Sequence, residues 1–482
     1  MKIKEITLHF FIALLILFFS AFNILSIFVA IFSIVLSIYF VIKRKYHYSL
    51  LYLIIVSAYY KEPNILNLPI LGGYVFIGIL FFSSLFILYK KDFFTNFTLD
   101  VNTPNTILFT YILLFFFLSL IFQIIFSNVL DSLHITYFKK DLLFIIVMIL
   151  MYIFIINIEI KKIMYIFIII MLSYLFGNLL LIILNINITP QPASPGYVNT
   201  TISYDEFRSF YPVFLVSIFL FVKNLKIKIL SLIILLLLMF LFSKVGITGQ
   251  MFYGLILLLI IYILSKRILR NFFIFLFILI IPFLSMDIKL SQILPENKNN
   301  DIFLFKLNSA VKLLEFTSEK DLNEVPWSPR VRIIELINIL DKNPINILFG
   351  NGIGGYFTET NYKFNFNDSV NPSDDFDIKQ IEQGRYYSPH GIGTIILKYG
   401  LIFYILMFFI LIKIFKYCKN DLEKAFLISC YVTMFFGFGW TFRFSLLFII
   451  LLHFYFSHIN LSLLVQINTF LFSRYIRRKN AN

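Results

Sequence analysis

The segment from Asp287 to His390, which ends with Tyr387-Ser388-Pro389-His390, is a long polar stretch in a chain that is otherwise largely apolar. It holds 15 of the 26 Asp and Glu residues of the protein. A pure channel or transporter rarely needs a polar loop of this size, whereas an enzyme that works at one face of a membrane does. The segment therefore favours a membrane enzyme with one elaborated loop.

The composition outside this loop is that of an integral membrane protein. Hydrophobic residues make up 60% of the 482 residues, and Phe alone accounts for 62 of them. Apolar runs recur at about the 20 residues that cross a bilayer as a helix. We therefore predict an all-α polytopic membrane protein with about 14 transmembrane helices, within a range of about 12–14. The first apolar run is too long for a signal peptide, so we expect a retained first helix.

The net charge of +15 does not indicate a nucleic-acid partner, because Lys and Arg occur in small clusters at regular intervals. This spacing is typical of positively charged cytoplasmic loops, and no continuous basic face is present for a duplex. Placing the clusters in the cytoplasm gives the spans 6–22, 24–42, 48–60, 70–89, 105–127, 141–158, 163–184, 209–223, 229–243, 251–264, 271–286, 391–412, 425–439 and 444–462.

Three regions follow from these spans. Residues 1–286 carry predicted transmembrane helices 1–11, and residues 287–390 form a large extracytoplasmic loop. Residues 391–482 contain the C-terminal transmembrane helices and a cytoplasmic tail. With only Cys418 and Cys430 in the chain, neither of them in the loop, no disulfide framework supports it.

Several cations lie where outward-facing segments should be poor in Lys and Arg: Lys61, Arg208, Lys244 and Arg443. Each one alone is explained by an interfacial anchor or by a salt bridge, for example between Arg208 and Asp205. Together they suggest an anionic ligand at the outer surface.

Residues 328–342 are predicted to form an amphipathic helix on the outer membrane surface. Ser328 suits the N-cap, Pro329 suits the first helical position, and Asn343-Pro344 ends the helix. Arg330 and Arg332 are two residues apart, about 200° around the helix, so only one of them is expected to face a given ligand. Arg332 also has Glu335 as a candidate ion-pair partner.

Two further motifs precede the end of the loop. The glycines of Gly350-Asn-Gly-Ile-Gly-Gly355 predict a tight turn or a close backbone approach, without the strand–turn–helix context of a nucleotide site. Asp375-Phe-Asp377 looks like a metal-binding carboxylate pair, but a solvated acidic loop is the simpler interpretation. No metal or other cofactor is expected.

His390 is the main candidate for a catalytic base, since it lies where the loop re-enters the membrane. An imidazole can accept a proton near neutral pH. The alternative is a capping or interfacial histidine.

The order of these features resembles the superfamily of bacterial O-antigen polymerases and O-antigen ligases, over residues 200–405. Arg208 resembles the family's outer-loop arginine, and Ser243-Lys244 resembles its Ser-Arg pair with Lys in place of Arg, which weakens bidentate phosphate binding. Arg330 matches the loop arginine best by its distance to Pro344, with Arg332 as second choice. His390 matches the loop histidine, although Gly391 follows where family members often carry Asn.

The resemblance implies a membrane glycosyltransferase fold of the GT-C-like class, in the bacterial inner membrane, with its active site on the periplasmic face. The donor would be an oligosaccharide on undecaprenyl diphosphate. His390 would deprotonate the acceptor hydroxyl, and Arg208, Arg330, Arg332, Lys244 and Arg443 would bind the diphosphate without metal or nucleotide. A chain-length regulator is a candidate protein partner by analogy.

Within this resemblance we prefer a polymerase, which joins lipid-linked repeat units, over a ligase, which moves the glycan to lipid A core. A flippase or transporter is an alternative of another class, and 14 spans would suit one. Transporters usually carry ionisable residues or broken helices at mid-membrane, however, and these spans hold almost none, with Lys398 as the main one. A peptidoglycan-type glycan polymerase is a third alternative, and it would need an outer carboxylate base.

Overall fold

The structure is a computed structural model that describes residues 3–20, 22–59, 78, 80–87, 121, 131–155, 157–184, 210–245, 249–265, 327–341, 344–360, 362–364, 376–389, 392–436 and 442–457. These residues are predominantly helical and contain no β-strand. A single isolated antiparallel bridge joins Phe357 and Tyr386. The predicted all-α fold is confirmed at this level.

The described helices, in chain order, are α1 (Ile3–Ser20), α2 (Asn23–Ile42), α3 (Tyr46–Tyr59), α4 (Ser132–Ile155), α5 (Ile160–Ile183), α6 (Phe210–Phe221), α7 (Leu225–Val245), α8 (Gly249–Ser265), α9 (Trp327–Leu340), α10 (Pro344–Phe349), α11 (Ile378–Gln383), α12 (Ile392–Tyr417), α13 (Asp421–Phe436) and α14 (Phe442–Ser457).

Most predicted spans coincide with these helices to within a few residues, including the break placed near Asn23 and the loop helix that became α9. The predicted spans 70–89, 105–127 and 271–286 have no counterpart among these helices, and the structure describes only residues 78, 80–87 and 121 of them. The main difference is α4, which begins at Ser132, nine residues before the predicted start of its span. Asp131 explains this early start, because its Oδ1 accepts the backbone N–H of His134 at 2.7 Å as an N-cap.

The helices pack in neighbouring groups around one large apolar core. The first three helices pack on one another, and α1 and α3 also pack on α5, while α6 packs against α7, α8 and α13. The C-terminal helices α12, α13 and α14 contact one another, and α14 also packs on α4. The short α9 and α10 both rest on α12. As a result, α12 links the loop to the helical body.

Among the described residues, α5 is long and apolar enough to cross a bilayer, and α12 would be a second candidate if its two segments, which are bent by 74°, count as one span. One face of α2 supports contact with lipid as well. Phe28, Ile31, Val35 and Ile42 recur at helical spacing on this face and are each more than half exposed. Such an exposed apolar face is costly in water and suits a lipid environment.

The regular helix is interrupted in α12 at Gly400, whose φ of 68° and ψ of −173° are not helical. The glycine-rich turn lies against this interruption: Asn351 N–H donates to the Leu397 carbonyl at 2.6 Å, and Gly352 N–H donates to the Lys398 carbonyl at 3.1 Å. A Cβ on Gly350 would lie 2.5 Å from the backbone of Lys398, so the two backbones touch directly. The close approach predicted for these glycines is confirmed.

We predict that Gly400→Ala destabilises the protein more than Gly384→Ala. Both residues have positive φ, at 68° and 60°, which costs a side chain about 1–2 kcal/mol. A Cβ on Gly384 meets no atom within 4 Å, whereas one on Gly400 would overlap the backbone of Leu348 and Gly350. Thermal unfolding of the detergent-purified variants measures the difference. Equal losses of stability in the two variants would contradict the close packing of the turn on α12.

Candidate functional site

A buried ion pair fastens the glycine-rich turn to two helices. Lys398 Nζ on α12 lies 2.7 Å from Asp141 Oδ2 on α4, and the two side chains are 2% and 12% exposed. Lys398 Nζ also donates to the Gly355 carbonyl at 2.9 Å, while Gly354 N–H donates to Asp141 Oδ2 at 2.6 Å. Each charge is thus satisfied both by its partner and by the turn between them.

These contacts define the role of the turn as structural. The N–H groups of Gly350, Asn351, Gly352, Gly354 and Gly355 all donate to protein oxygens. A loop that cradles phosphate needs such groups free to face the ligand. The geometry therefore agrees with the sequence-based argument against a nucleotide site at this turn.

We predict that Asp141→Asn and Lys398→Met each destabilise the protein by about 3–5 kcal/mol, because each leaves a buried charge without its counterion. The double variant should lose clearly less stability than the two single variants lose in sum, since neither charge then remains. Unfolding free energies in one detergent would measure this coupling. Additive losses would show that the two residues stabilise the protein independently.

The described part of the loop has its own small core, built by α9, by residues 357–360, 362–364 and 376–386, and by the first turns of α12. Its buried apolar residues are Val331, Ile334, Ile339, Phe357, Phe364, Phe376, Tyr386, Ile396 and Leu397. Backbone N–H groups of Phe357 and Tyr386 donate to each other's carbonyl at 3.0 Å, and the Tyr386 hydroxyl donates to Glu359 Oε1 at 2.7 Å. This core holds the loop rigidly on α12.

The buried Asn338 joins α9 to the following loop segment. Its Nδ2 donates to the Tyr362 carbonyl at 2.8 Å, and its Oδ1 accepts the Thr360 N–H at 3.1 Å. The buried face of α9 therefore includes polar residues that a hydrophobic pattern does not reveal. The predicted apolar face, marked by Ile333, Ile337 and Leu340, is the more exposed one, and Leu340 is 45% exposed.

The two arginines of α9 differ in their environment, as their separation around the helix predicts. Arg330, in the first turn, is only 5% exposed, and its burial lowers the pKa of the guanidinium from its usual value. Arg332 is half-buried. Since Val331 shares a core with Ile396 and Leu397, Arg330 is held on the same unit as the start of α12.

The first turns of α4 form a second attachment point for the loop. Asp131 makes an ion pair with Arg385, and Arg385 also lies over the Tyr356 ring at 5.7 Å. The hydrogen bond from the His134 N–H, together with Arg385, lowers the pKa of the Asp131 carboxyl. His134 lies in the first turn of α4, because the Asp131 cap starts the helix before it.

A tyrosine pair lies at the centre of this attachment. The rings of Tyr137 and Tyr387 stack with centroids 4.6 Å apart and planes inclined by 6°. Tyr137 donates its hydroxyl proton to Asp377 and accepts a hydrogen bond from Gln380 Nε2 at 2.6 Å. Burial raises the pKa of Tyr387 to about 12 and also raises the pKa of Tyr137. Both phenols therefore stay protonated at neutral pH.

Asp377, one of the two carboxylates considered for a metal, has protein partners here. It accepts the Tyr137 hydroxyl and lies 3.9 Å from Lys140 Nζ, whose ammonium group sits over the Tyr137 ring. Asp375 lies outside the described residues. Within the described part of the chain, no cluster of three or more His, Cys, Asp or Glu side chains is arranged to hold a metal.

The other predicted site residues are located as follows. Arg208 and His390 lie outside the described residues. Lys244 is in the last turn of α7 and Arg443 is the second residue of α14, and the structure describes only their backbone. The structure describes the chain up to Pro389 and again from Ile392, where α12 begins. The Thr394 hydroxyl donates to the Pro389 carbonyl.

Comparisons with family models, characterised proteins and solved structures find no match to this chain. The functional argument therefore depends on the residues and on their arrangement.

Several residues of the site were not singled out by sequence reasoning, among them Asp141, Tyr137, Gln380 and Arg385. Asp141 and Lys398 did carry a signal, because each is a charge at a place where the predicted topology expects few. The tyrosines and Gln380 carry no comparable signal, since such residues are common in polar loops.

We predict that acid weakens the attachment of the loop to α4 through Asp131. A carboxyl whose pKa is lowered in the folded state stabilises the protein above its unfolded pKa of about 4, and this contribution is lost as pH falls through the folded pKa. Asp131→Asn keeps a good N-cap but removes the charge.

Transition temperatures measured between about pH 5 and pH 3 should therefore fall more steeply for the wild type than for Asp131→Asn. The comparison would be made in a His134→Gln background, because the Asp131 charge raises the pKa of His134 and the contribution of this histidine would otherwise differ between the two proteins. Parallel curves for the two proteins would rule out this role for Asp131.

Proposed function

We propose that the protein is a surface-polysaccharide polymerase that extends a glycan carried on undecaprenyl diphosphate. In this proposal the oligosaccharide leaves its diphosphate carrier and is joined to the hydroxyl at the non-reducing end of another lipid-linked repeat unit. The close alternative is a ligase, which would use the same donor and a lipid A core acceptor. Either enzyme would be metal-independent and inverting.

The observation that carries the proposal is the packing of α9 against the start of α12. Arg330 lies in the first turn of α9, and α12 begins two residues after His390. Ile339 lies near Gly393, where a Cβ would be 3.4 Å from its Cδ1. The helix that carries the candidate diphosphate ligand thus packs on the helix that begins just after the candidate base.

The chemistry follows from the residue types. His390 takes the proton of the acceptor hydroxyl as the oxygen attacks the anomeric carbon. The bond from that carbon to the diphosphate oxygen breaks, and the configuration inverts. Guanidinium groups of Arg208 and Arg330 bind the diphosphate through charge-assisted hydrogen bonds and stabilise its charge as it leaves, with Lys244, Arg332 and Arg443 as further cations.

The burial of Arg330 suits this role. A guanidinium that is 5% exposed is weakly screened by water and salt, so its attraction for a phosphate is stronger than that of a surface cation. It remains charged at neutral pH, because the pKa of an arginine starts far above this range.

The proposed topology places α9 and the start of α12 at the periplasmic face of the inner membrane. It combines the described helices with the predicted spans 70–89, 105–127 and 271–286 to give about 14 crossings. The basic clusters then face the cytoplasm and the acidic loop faces the periplasm. An undecaprenyl-linked donor in the outer leaflet would meet the loop there.

The partners of Lys398 give this residue an explanation other than transport. Lys398 is the ionisable residue that would mark a transport path, and it is paired with Asp141 and hydrogen-bonded to Gly355. A buried charge with such partners has a structural role that needs no moving substrate.

We predict that His390→Ala and Arg208→Ala each abolish glycan elongation, and that Arg330→Ala reduces it at least tenfold. The variants would complement a deletion of the gene in its host, and the glycolipids would be separated on a gel. Lys379→Ala removes an exposed cation of the same loop and should leave the ladder unchanged.

Three patterns distinguish the functions. A single repeat unit on core in the deletion and in the site variants indicates a polymerase. Bare core, with long glycan accumulating on the carrier lipid, indicates a ligase. A normal ladder in the deletion strain would refute both glycosyltransferase functions and would favour the transporter.

A further inference from the structure

Two lysines of α12 share one aromatic ring near the end of the helix. Lys413 Nζ lies 4.8 Å from the centroid of the Tyr417 ring, and Lys416 Nζ lies 5.2 Å from the same centroid. Lys413 Nζ is also 5.7 Å from the ring centroid of Tyr455, which belongs to α14. Two helices therefore contribute to a place where two ammonium groups are neighbours around one ring.

These two lysines differ from others in the protein because they lack an acidic partner. Among the residues that the structure describes, no carboxylate lies within ion-pair distance of Lys413 or Lys416. By contrast, Lys162 Nζ lies 2.7 Å from the Glu159 carboxylate at another helix end. Two neighbouring positive charges repel each other, so an anionic group that contacts both of them is favoured.

An exposed apolar stripe leads along α12 to the two lysines. Phe408, Phe409 and Ile412 are 58%, 51% and 44% exposed. Lys413 follows Phe409 by four residues, which places both on one side of the helix. In the same way, Lys416 follows Ile412 by four residues. These five residues, called the α12 surface below, are thus apolar along the helix and positively charged at its end.

The α12 surface has the properties of a lipid contact at the membrane interface. Lysines and tyrosines at the end of an apolar span are typical of this interface. The predicted span 391–412 ends directly before Lys413, and the proposed topology places that end at the cytoplasmic leaflet. A phospholipid carries its phosphate at the height of the lysines and its acyl chains at the height of the stripe. A soluble anion would leave the stripe uncovered, and a zwitterionic lipid would bring a second cation beside the lysines.

We propose that the α12 surface binds one anionic phospholipid of the cytoplasmic leaflet. Lys413 and Lys416 donate charge-assisted hydrogen bonds to the phosphate. The acyl chains lie along Phe408, Phe409 and Ile412. The proposal goes beyond the proposed function, because it needs the membrane location of the protein but no glycan transfer. The bound lipid holds the end of α12 that is opposite to the polar loop.

The test measures lipid binding by the full-length protein in detergent. The protein would be freed of phospholipid and titrated with phosphatidylglycerol, and native mass spectrometry would count the bound lipids. We expect Lys413→Gln/Lys416→Gln to raise the Kd of the tightest phosphatidylglycerol site about tenfold or more, since each lysine near an anionic lipid contributes to binding. Phosphatidylcholine with the same acyl chains should bind both proteins equally. An unchanged Kd for phosphatidylglycerol would overturn the proposal.

A matched control is the double variant Lys226→Gln/Lys228→Gln at the start of α7. It removes the same charge beside another exposed apolar face, which includes Ile229 and Leu232. Lys228 lies over the Phe219 ring at 5.6 Å, so this pair is not arranged around one shared tyrosine. The control should keep the tight site. An equal loss in the two double variants would indicate a general attraction of basic helix ends for anionic lipids, and the proposed site would be wrong.

Other occupants of the α12 surface give different results. If inorganic phosphate at the lipid concentrations displaced phosphatidylglycerol, the lysines would recognise a free anion, which would contradict a lipid site. If the double variant kept the lipid but changed the number of chains per particle, the surface would be a contact between copies of the protein. If the double variant did not accumulate, Lys416→Gln, at an exposed position, should still raise the Kd, and an unchanged Kd would count against the proposal.

Discussion

The buried ion pair between Asp141 and Lys398 is the interaction on which the loop architecture depends. It joins α4 to α12, and the glycine-rich turn is fastened to both members of the pair. Because Gly400 interrupts α12 at this point, backbone carbonyls of Leu397 and Lys398 become available to the turn. The two buried charges neutralise each other, and together they hold the glycine-rich turn between α4 and α12.

The helices could be predicted from the sequence because their causes are local. Apolar runs near 20 residues, the Asn23 break and the Ser328-Pro329 start each act over a few positions, and the helices follow them closely. The start of α4 was not predicted, because the first turns after the Asp131 cap contain polar residues, which a hydropathy pattern assigns to a loop. Likewise, Glu335 and Asn338 of α9 are buried on a face of the helix that the spacing of its apolar residues did not predict.

The site could be predicted only in part, for a different reason. Candidate residue types can be recognised one at a time, but their contacts join positions far apart, such as Asp131 with Arg385 or Tyr137 with Gln380. Nothing in a single sequence states that these positions meet. Lys398 carried a partial signal, because an ionisable residue within a predicted span needs a partner, but the sequence did not identify Asp141 as that partner.

The separation of the partners also has a consequence for how the chain is made. Asp141 leaves the ribosome 257 residues before Lys398. At about 5–20 residues per second, the carboxylate waits roughly 10–50 s for its counterion. During that interval neither the turn nor the first turns of α4 have their final partners. The contacts of the turn with α4 and α12 are therefore completed late in the biogenesis of this protein, after α12 has been synthesised.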